Sequence, residues 1–341
     1  MVTTERAVAV RRVQADRFEA DKVDLAALAG TEPNDRSELL GHLFWFTISG
    51  LAMTRQQLEA CLDAAGISPA MLPGPIRDCD AFRRATTAVE RKRVEADGKD
   101  LFWNLLVREV RSNSHEVVRH LVVETVDARN VRLGYADLRS LRLNRPGHGI
   151  EQADLDCAAA PGAWALADRA TAEALHLYQE CLTHYNDRHI REALAAILGP
   201  GEPVCVRPSG GVYFIPRRHQ ELLLRARALV RSLDPYSIAG GRSRLYHVPV
   251  VDGSDQREMV EISLEEQVQA ELRRLTTEMA DLLKAGKAIR PATADGYIQR
   301  IRALGKQTAT YRELLQTDLV ELEAAVDLVR EQGMVLLARA E

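Results

Sequence analysis

The sequence predicts an α+β fold, in which an antiparallel sheet with flanking helices is followed by a C-terminal antiparallel helical hairpin with coiled-coil character. Two observations predict this class. Between residues 101 and 143, β-branched and alternating runs are joined by short connections, which suit antiparallel strands. After residue 255, apolar side chains instead recur at spacings of three and four, which is the period of a helix.

The length and charge of the chain set limits on its organisation. Its 341 residues, 46% of them hydrophobic, are enough for roughly two domains. We expect a polar N-terminal arm over residues 1–36, an α+β core domain over 37–255 and the helical hairpin over 256–341. The net charge is only −4, so binding to nucleic acid or to an anionic membrane would have to come from a local patch.

Several function classes are disfavoured by missing motifs. The five cysteines contain no CxxC pair, which argues against a disulfide framework and a structural zinc site. The chain has no GxSxG, GxGxxG or phosphate-loop motif. We therefore expect no metal, no cofactor and no catalytic residue. Because the N-terminus lacks an apolar signal region and no segment is long and apolar enough to span a bilayer, we expect a cytoplasmic protein without membrane contact.

The first elements are predicted from local signals. Leu43–Ser49 is a short apolar run rich in aromatic residues and predicts a buried strand ended by Gly50. Thr54 and Gln57 match a capping box, in which each side chain bonds the other's backbone N–H. The helix that begins there is expected to stop at Gly66.

A second helix is predicted from Asp80, a plausible N-cap, to Gly98. One face of this helix would be basic, with Arg84 and Arg91 two turns apart, and such a face can neutralise several phosphates. The alternative is a solvated face paired with neighbouring glutamates. The candidate nucleic-acid-binding residues here are Arg83, Arg84, Arg91 and Lys92.

The central region predicts an antiparallel meander of strands. The expected strands are Leu105–Val110, Val117–Val126, Val131–Tyr135 and Leu138–Leu143. A loop is expected over 146–162, then helices from about Trp164 to Cys181 and from Ile190 to Leu198, a helix over Gln220–Leu233 and a strand over Leu245–Val250. The histidines at 176, 184 and 189 are interpreted as surface or capping residues.

The most distinctive segment is a predicted hairpin, Val204–Val206 and Val212–Ile215, around the glycine pair at 210 and 211. Its arginines and aromatic residues can stack on a base or grip a backbone, or the aromatic residues can simply pack on the core. A second glycine pair, at 240 and 241, can form an anion-binding loop or an ordinary one. The candidate residues are Arg207, Tyr213, Arg217, Arg218, Arg242 and Arg244.

A resemblance rests on this hairpin. GGVYFIP at 210–216 and DAFRRAT at 80–86, with the strand-rich centre, resemble an uncharacterised bacterial family, a domain of unknown function associated with actinobacteria and mobile elements. The similarity covers roughly residues 40–250. It implies no known activity and no catalytic residue.

The C-terminal hairpin is predicted from a second capping box, Ser263–Glu266, and a turn at 284–287. The second helix would run on past residue 329 and overhang the first, so it needs contact with the body of the protein or another copy. The candidate oligomerisation residues are Tyr297, Ile301, Leu304, Tyr311, Leu315 and Leu322.

These patterns favour a non-catalytic binding protein. In this hypothesis the arginine-bearing elements bind a polyanion such as DNA or RNA, and the hairpin mediates self-association or partner docking. One alternative is a scaffold or regulator that binds only protein. Another is a hydrolase or nuclease that uses His115 or His120 with Glu109, Glu116 or Glu124. On a strand, Glu116, His120 and Glu124 would share one face, apart from His115 and Glu109. The spacing from His115 to His120 is one residue too long for the HExxH zinc motif.

Overall fold

The computed structural model describes residues 39–96, 100–145, 149–155, 158–207, 209–238, 240–285 and 289–339. The expected N-terminal arm, residues 1–36, lies outside this range. No helix in the described part of the chain is both long and apolar enough to cross a membrane.

Strands and helices follow one another in groups along the chain, with five consecutive strands in the middle and three consecutive helices at the end. The strands are β1 (Leu39–Thr47), β2 (Met53–Thr54), β3 (Arg91–Glu95), β4 (Leu101–Ser112), β5 (Glu116–Asp127), β6 (Arg132–Asn144), β7 (Ile150–Asp154), β8 (His184–Tyr185), β9 (Val204–Arg207), β10 (Val212–Pro216) and β11 (Arg244–Val251). The helices are α1 (Arg55–Ala64), α2 (Asp78–Ala88), α3 (Pro161–Thr183), α4 (Asp187–Leu198), α5 (Gln220–Ser232), α6 (Ser254–Lys284), α7 (Pro291–Leu315) and α8 (Val320–Ala338).

The chain forms two compact units that are discontinuous in sequence. The meander unit comprises Phe44–Pro203 and His219–His247. The helical unit comprises the described parts of Met1–Leu43, Val204–Arg218 and Val248–Glu341. The expected domain boundaries, between residues 36 and 37 and between residues 255 and 256, stay predictions.

The meander unit is built on a five-stranded sheet with the order β3-β4-β5-β6-β7, in which every neighbouring pair is antiparallel. Helices α2 and α3 pack on one face. Val117, Leu121 and Val123 of β5 point to that face and join one hydrophobic cluster with Phe82 and Tyr178 of the two helices. The predicted antiparallel sheet with flanking helices is therefore confirmed.

The second predicted helix was wrong beyond residue 88. The chain leaves the helix at the C-cap Val89 and continues as β3, which pairs with β4. Arg93 adopts a φ of 54°, which a continuing helix does not allow. The strand is favoured over a continued helix because Val94 lies opposite Trp103 and packs against the sheet's core cluster. Arg84 and Arg91 consequently do not share a helix face.

Two further expectations in this unit need correction. The predicted loop over 146–162 contains β7, which extends the sheet by pairing with β6, and α3 already begins at Pro161. The runs 131–135 and 138–143 are not separate strands, because β6 continues through both with a bulge opposite Leu121 and Val122. The capping box of Thr54 and Gln57 is confirmed.

The helical unit contains β9, β10 and parts of β1 and β11, which belong to a sheet of order β11-β1-β10-β9. The predicted β9–β10 hairpin is confirmed and antiparallel. Phe214 of this hairpin is fully buried in a cluster with the inward side chains of α6, α7 and α8. Helices α6 and α7 pack antiparallel, since Arg300 reaches Glu271 and Arg257 donates to the carbonyl of Leu315.

The helix boundaries differ from those expected. Helix α6 begins at Ser254, so Ser263 is not a cap; its hydroxyl donates to the carbonyl of Met259 within the helix. The predicted long second helix is two helices, because Gln316 adopts a left-handed conformation with φ 53°. The break coincides with Asp318, where the apolar spacing is interrupted. Of the predicted turn at 284–287, residues 286 and 287 lie outside the described chain.

Candidate functional site

A cleft in the meander unit has a volume of about 390 Å³ and gathers four arginines. One wall is the segment Pro73–Pro75, and the others are the first half of α2 and the start of α4. Its cationic side chains are Arg77, Arg83, Arg84 and Arg188, accompanied by His189, Asp80 and Glu192.

Helix α2 supplies most of the positive charge. Its buried residues, including Phe82 and Ala85, fix the helix against the sheet, which leaves Arg83 and Arg84 between them half-buried. The positive charge of Arg83 is compensated, because its Nε donates to the carboxylate of Glu109 at 2.7 Å. Its Nη2 also donates to the hydroxyl of Ser112 at 2.8 Å. The Arg83 hydrogen bond, partly offset by burial, lowers the pKa of Glu109.

Arg84 differs from the other arginines of the cleft. Its Nη1 donates to the carbonyl oxygens of Cys181 at 3.4 Å and His184 at 3.2 Å, and its Nη2 donates to His184 at 3.3 Å. Carbonyl oxygens carry no net charge. Within the described chain Arg84 has no carboxylate partner, so its positive charge is available to an anion.

The start of α4 places the other cationic groups. Asn186 and His189 form a capping box, which fixes the first turn so that Arg188 lies at the cleft. Arg188 donates to Glu192 at 2.9 Å. Burial and then the neighbouring Arg84 charge lower the pKa of His189, so this imidazole is neutral at pH 7. The interpretation of His189 as a capping residue is confirmed.

Arg77 completes the cleft. It donates from Nε to Asp80 at 2.6 Å, one turn further along the chain. The side chains of Arg77 and Arg188 are 73% and 81% exposed, and ion pairs this exposed are worth little in water. Both guanidiniums can therefore exchange a carboxylate for another anion. Sequence reasoning missed Arg77 and Arg188 and did not place His189 beside Arg84, because residues about a hundred positions apart converge only through the packing of α2, α3 and α4.

The other candidate residues of the meander unit lie outside this cleft. Arg91 is held by Glu173 through contacts of 2.7 and 2.8 Å, and Lys92 is exposed on β3. Arg244 is held by Asp234 at 2.8 and 3.0 Å, while Arg242 is exposed. Of the four predicted residues around α2, the structure thus brings only Arg83 and Arg84 to the cleft.

The candidate residues of the β9–β10 hairpin belong to the helical unit. Arg207, Arg217 and Arg218 are exposed and Tyr213 is half-buried. Phe214, in contrast, is fully buried. Phe214 therefore packs on the core, as in the second of the two alternatives considered for this hairpin.

The candidate oligomerisation residues lie largely inside the helical unit. Ile301, Leu304, Tyr311, Leu315 and Leu322 are buried in its hydrophobic cluster, and Tyr297 packs at the edge of that cluster. The overhanging helix was expected to contact either the body of the protein or another copy. These residues contact the chain's own helices. Self-association stays a prediction.

The residues of the hydrolase hypothesis do not form a free acid–base pair. Glu116 is bound by Arg111 and Arg142, and Glu124 by Arg132. His120 instead lies 3.5 Å from Asp137, a residue that sequence reasoning missed because the β6 bulge brings it there. In the part of the chain that the structure describes, no group of His, Cys, Asp and Glu is arranged to hold a metal ion.

Comparison with known proteins yields one relationship. No curated protein and no solved structure matches this chain. The model of a family of unknown function, DUF6744, matches residues 39–341, which includes the C-terminal helices as well as the segment that carried the resemblance. The chain belongs to the family of unknown function DUF6744.

Proposed function

We propose that this protein binds single-stranded nucleic acid through the arginine-lined cleft of the meander unit, without catalysing a reaction. The observation that carries the proposal is Arg84, whose guanidinium is held by carbonyl oxygens and has no carboxylate partner among the described residues. Arginine is well suited to phosphate, because its planar fork donates two parallel hydrogen bonds to phosphate oxygens.

The shape of the site favours a flexible strand over a duplex. Arg84, the donor without a carboxylate partner, is half-buried in the cleft between Pro73–Pro75 and the helices. A duplex carries its phosphates on a convex surface and cannot insert them into a recess without distortion. A single strand can turn a phosphate into the cleft, and we expect single-stranded DNA or RNA to bind more tightly than duplex DNA.

The hydrolase alternative is less well supported. Of its two carboxylates on β5, Glu124 is paired with Arg132, and Glu116 accepts a hydrogen bond from Arg111 that lowers its pKa and therefore its basicity. The scaffold alternative requires no anion site and leaves the cleft without a role.

The test is fluorescence anisotropy with labelled single-stranded DNA, duplex DNA and RNA across a salt series. We expect single strands to bind at low salt, with log affinity falling by about 0.7 per phosphate contact against log salt. In R77Q/R188Q, the affinity should fall by at least about tenfold, because two charge-assisted hydrogen bonds are lost.

The matched control is R225Q/R231Q, which removes the same charge from α5 of the same unit, outside the cleft. It should bind nearly as the wild type does. If neither single strand binds at low salt, the proposal is wrong and the protein-binding scaffold becomes the leading hypothesis, to be pursued by pull-down.

A further inference from the structure

Among the described residues, the cleft offers no phenylalanine, tyrosine or tryptophan ring on which a nucleobase could stack. The nearby Tyr185 is 2% exposed, and its hydroxyl donates to the carbonyl of Gly74 at 3.2 Å. His189 is engaged in the capping box and lies edge-on to Tyr185. Sequence-tolerant binding of single strands normally relies on such stacking, so this cleft must recognise the phosphate itself.

Three arginines without a buried carboxylate partner line the same cleft. Arg84 is held in place by the carbonyl of His184, whereas Arg77 and Arg188 stand in exposed ion pairs with Asp80 and Glu192. The two exposed side chains can therefore turn toward a bound anion while Arg84 stays fixed. The cleft therefore carries one fixed and two adaptable arginine side chains.

This arrangement fits a phosphomonoester better than an internal phosphodiester. An internal diester presents one negative charge and two non-bridging oxygens. A phosphomonoester carries close to two negative charges at pH 7 and has three strongly accepting oxygens, enough to accept from all three arginines. Only the end of a strand carries such a group, and a recess with a volume of about 390 Å³ admits an end more readily than a continuous chain.

We infer that the cleft recognises the terminal phosphate of a single strand. This inference rests on the proposed function, because it names which part of the strand occupies the same site. A site for a terminal phosphate binds the end of a strand in preference to its interior. A site that binds along the backbone has no such preference.

The test compares oligonucleotides of one sequence that carry a 5′-phosphate, a 3′-phosphate or hydroxyls at both ends, with the label placed internally. We expect at least one terminal phosphate to raise affinity by about tenfold or more, the effect of one additional charge-assisted hydrogen bond. R77Q/R188Q should abolish that preference, and R225Q/R231Q should retain it. An R84M variant tests the fixed fork, with circular dichroism to establish that it is folded.

Each outcome separates this inference from the proposed function. Salt-dependent binding that is equal for all three ends would overturn the inference and leave the proposed function standing. Absence of binding to all three would overturn both. Competition by inorganic phosphate or a mononucleotide distinguishes the source of the phosphomonoester: if either competes as well as the unlabelled phosphorylated strand, the ligand is a small phosphate compound and the inference is wrong.

Discussion

The guanidinium of Arg84 donates from both Nη groups to the carbonyl oxygen of His184, at 3.2 and 3.3 Å. This contact joins the middle of α2 to the residue that follows α3, a hundred positions later in the chain. It fixes the orientation of a charged side chain at the cleft without neutralising it. One residue therefore links the packing of the meander unit to the chemistry that we assign to it.

Replacing Arg84 by methionine should reduce both binding and stability. Methionine keeps the aliphatic stem but leaves the carbonyl of His184 without its donor, which should cost about 1–3 kcal/mol. The control is R91M, which removes an exposed pair with Glu173 and hydrogen bonds to the carbonyl oxygens of Ala88 and Glu90; at this exposed position it should cost less than about 1 kcal/mol. Urea unfolding of both variants measures the difference. Equal losses would show that the Arg84 contact contributes no more than a surface ion pair.

His189 should make the protein less stable as the pH falls. Burial and then Arg84 lower its pKa in the folded protein, below the value near 6.5 expected when unfolded. The unfolded state therefore takes up the proton more readily, so this stability is present above about pH 6.5 and is lost as the pH falls through the folded pKa. H189Q should flatten this part of the stability profile, because glutamine also forms a capping box but does not titrate.

The control for this titration is H176Q, at a histidine whose side chain is 76% exposed on α3. Chemical unfolding at several pH values between 7 and 5 should separate the two variants. If H189Q and H176Q follow the same profile as the wild type, His189 does not carry the pH dependence. The charged imidazole also adds to the positive cleft, so wild-type affinity for a strand with hydroxyl ends should rise over this range more than that of H189Q.

Gly41 should be intolerant of any side chain. A Cβ at this position would lie 2.3 Å from the carbonyl oxygen of Ile215 and 2.5 Å from the ring of Phe214, and both belong to the buried β10. G41A should therefore destabilise the protein by about 1–3 kcal/mol, as overpacking does. The control is G296A in the second turn of α7, where no atom outside the neighbouring helix backbone lies within 4 Å of the new Cβ.

We expect G296A to be stabilising by about 0.5–1 kcal/mol, because alanine is the better helix former. Thermal unfolding of the two variants should therefore shift in opposite directions. A neutral G41A would mean that β1 and β10 are not as close as the structure places them.

The sequence by itself determined the elements whose signals are local. The capping box at Thr54 and Gln57 and the hairpin at Gly210 and Gly211 each depend on residues a few positions apart. The antiparallel order of the meander followed from its short connections in the same way. Such signals act within a few residues, so a sequence pattern captures their physical cause directly.

Tertiary structure decided what depends on distant partners. Residues 91–95 became a strand because β4 offers unpaired backbone groups and a core position for Val94, which no local pattern contains. The cleft exists because α2 and α4 bring Arg84 and Arg188 together. Whether each arginine is neutralised or available was settled by which carboxylate or carbonyl the packing placed within reach, since electrostatic interactions follow distance in space and not position along the chain.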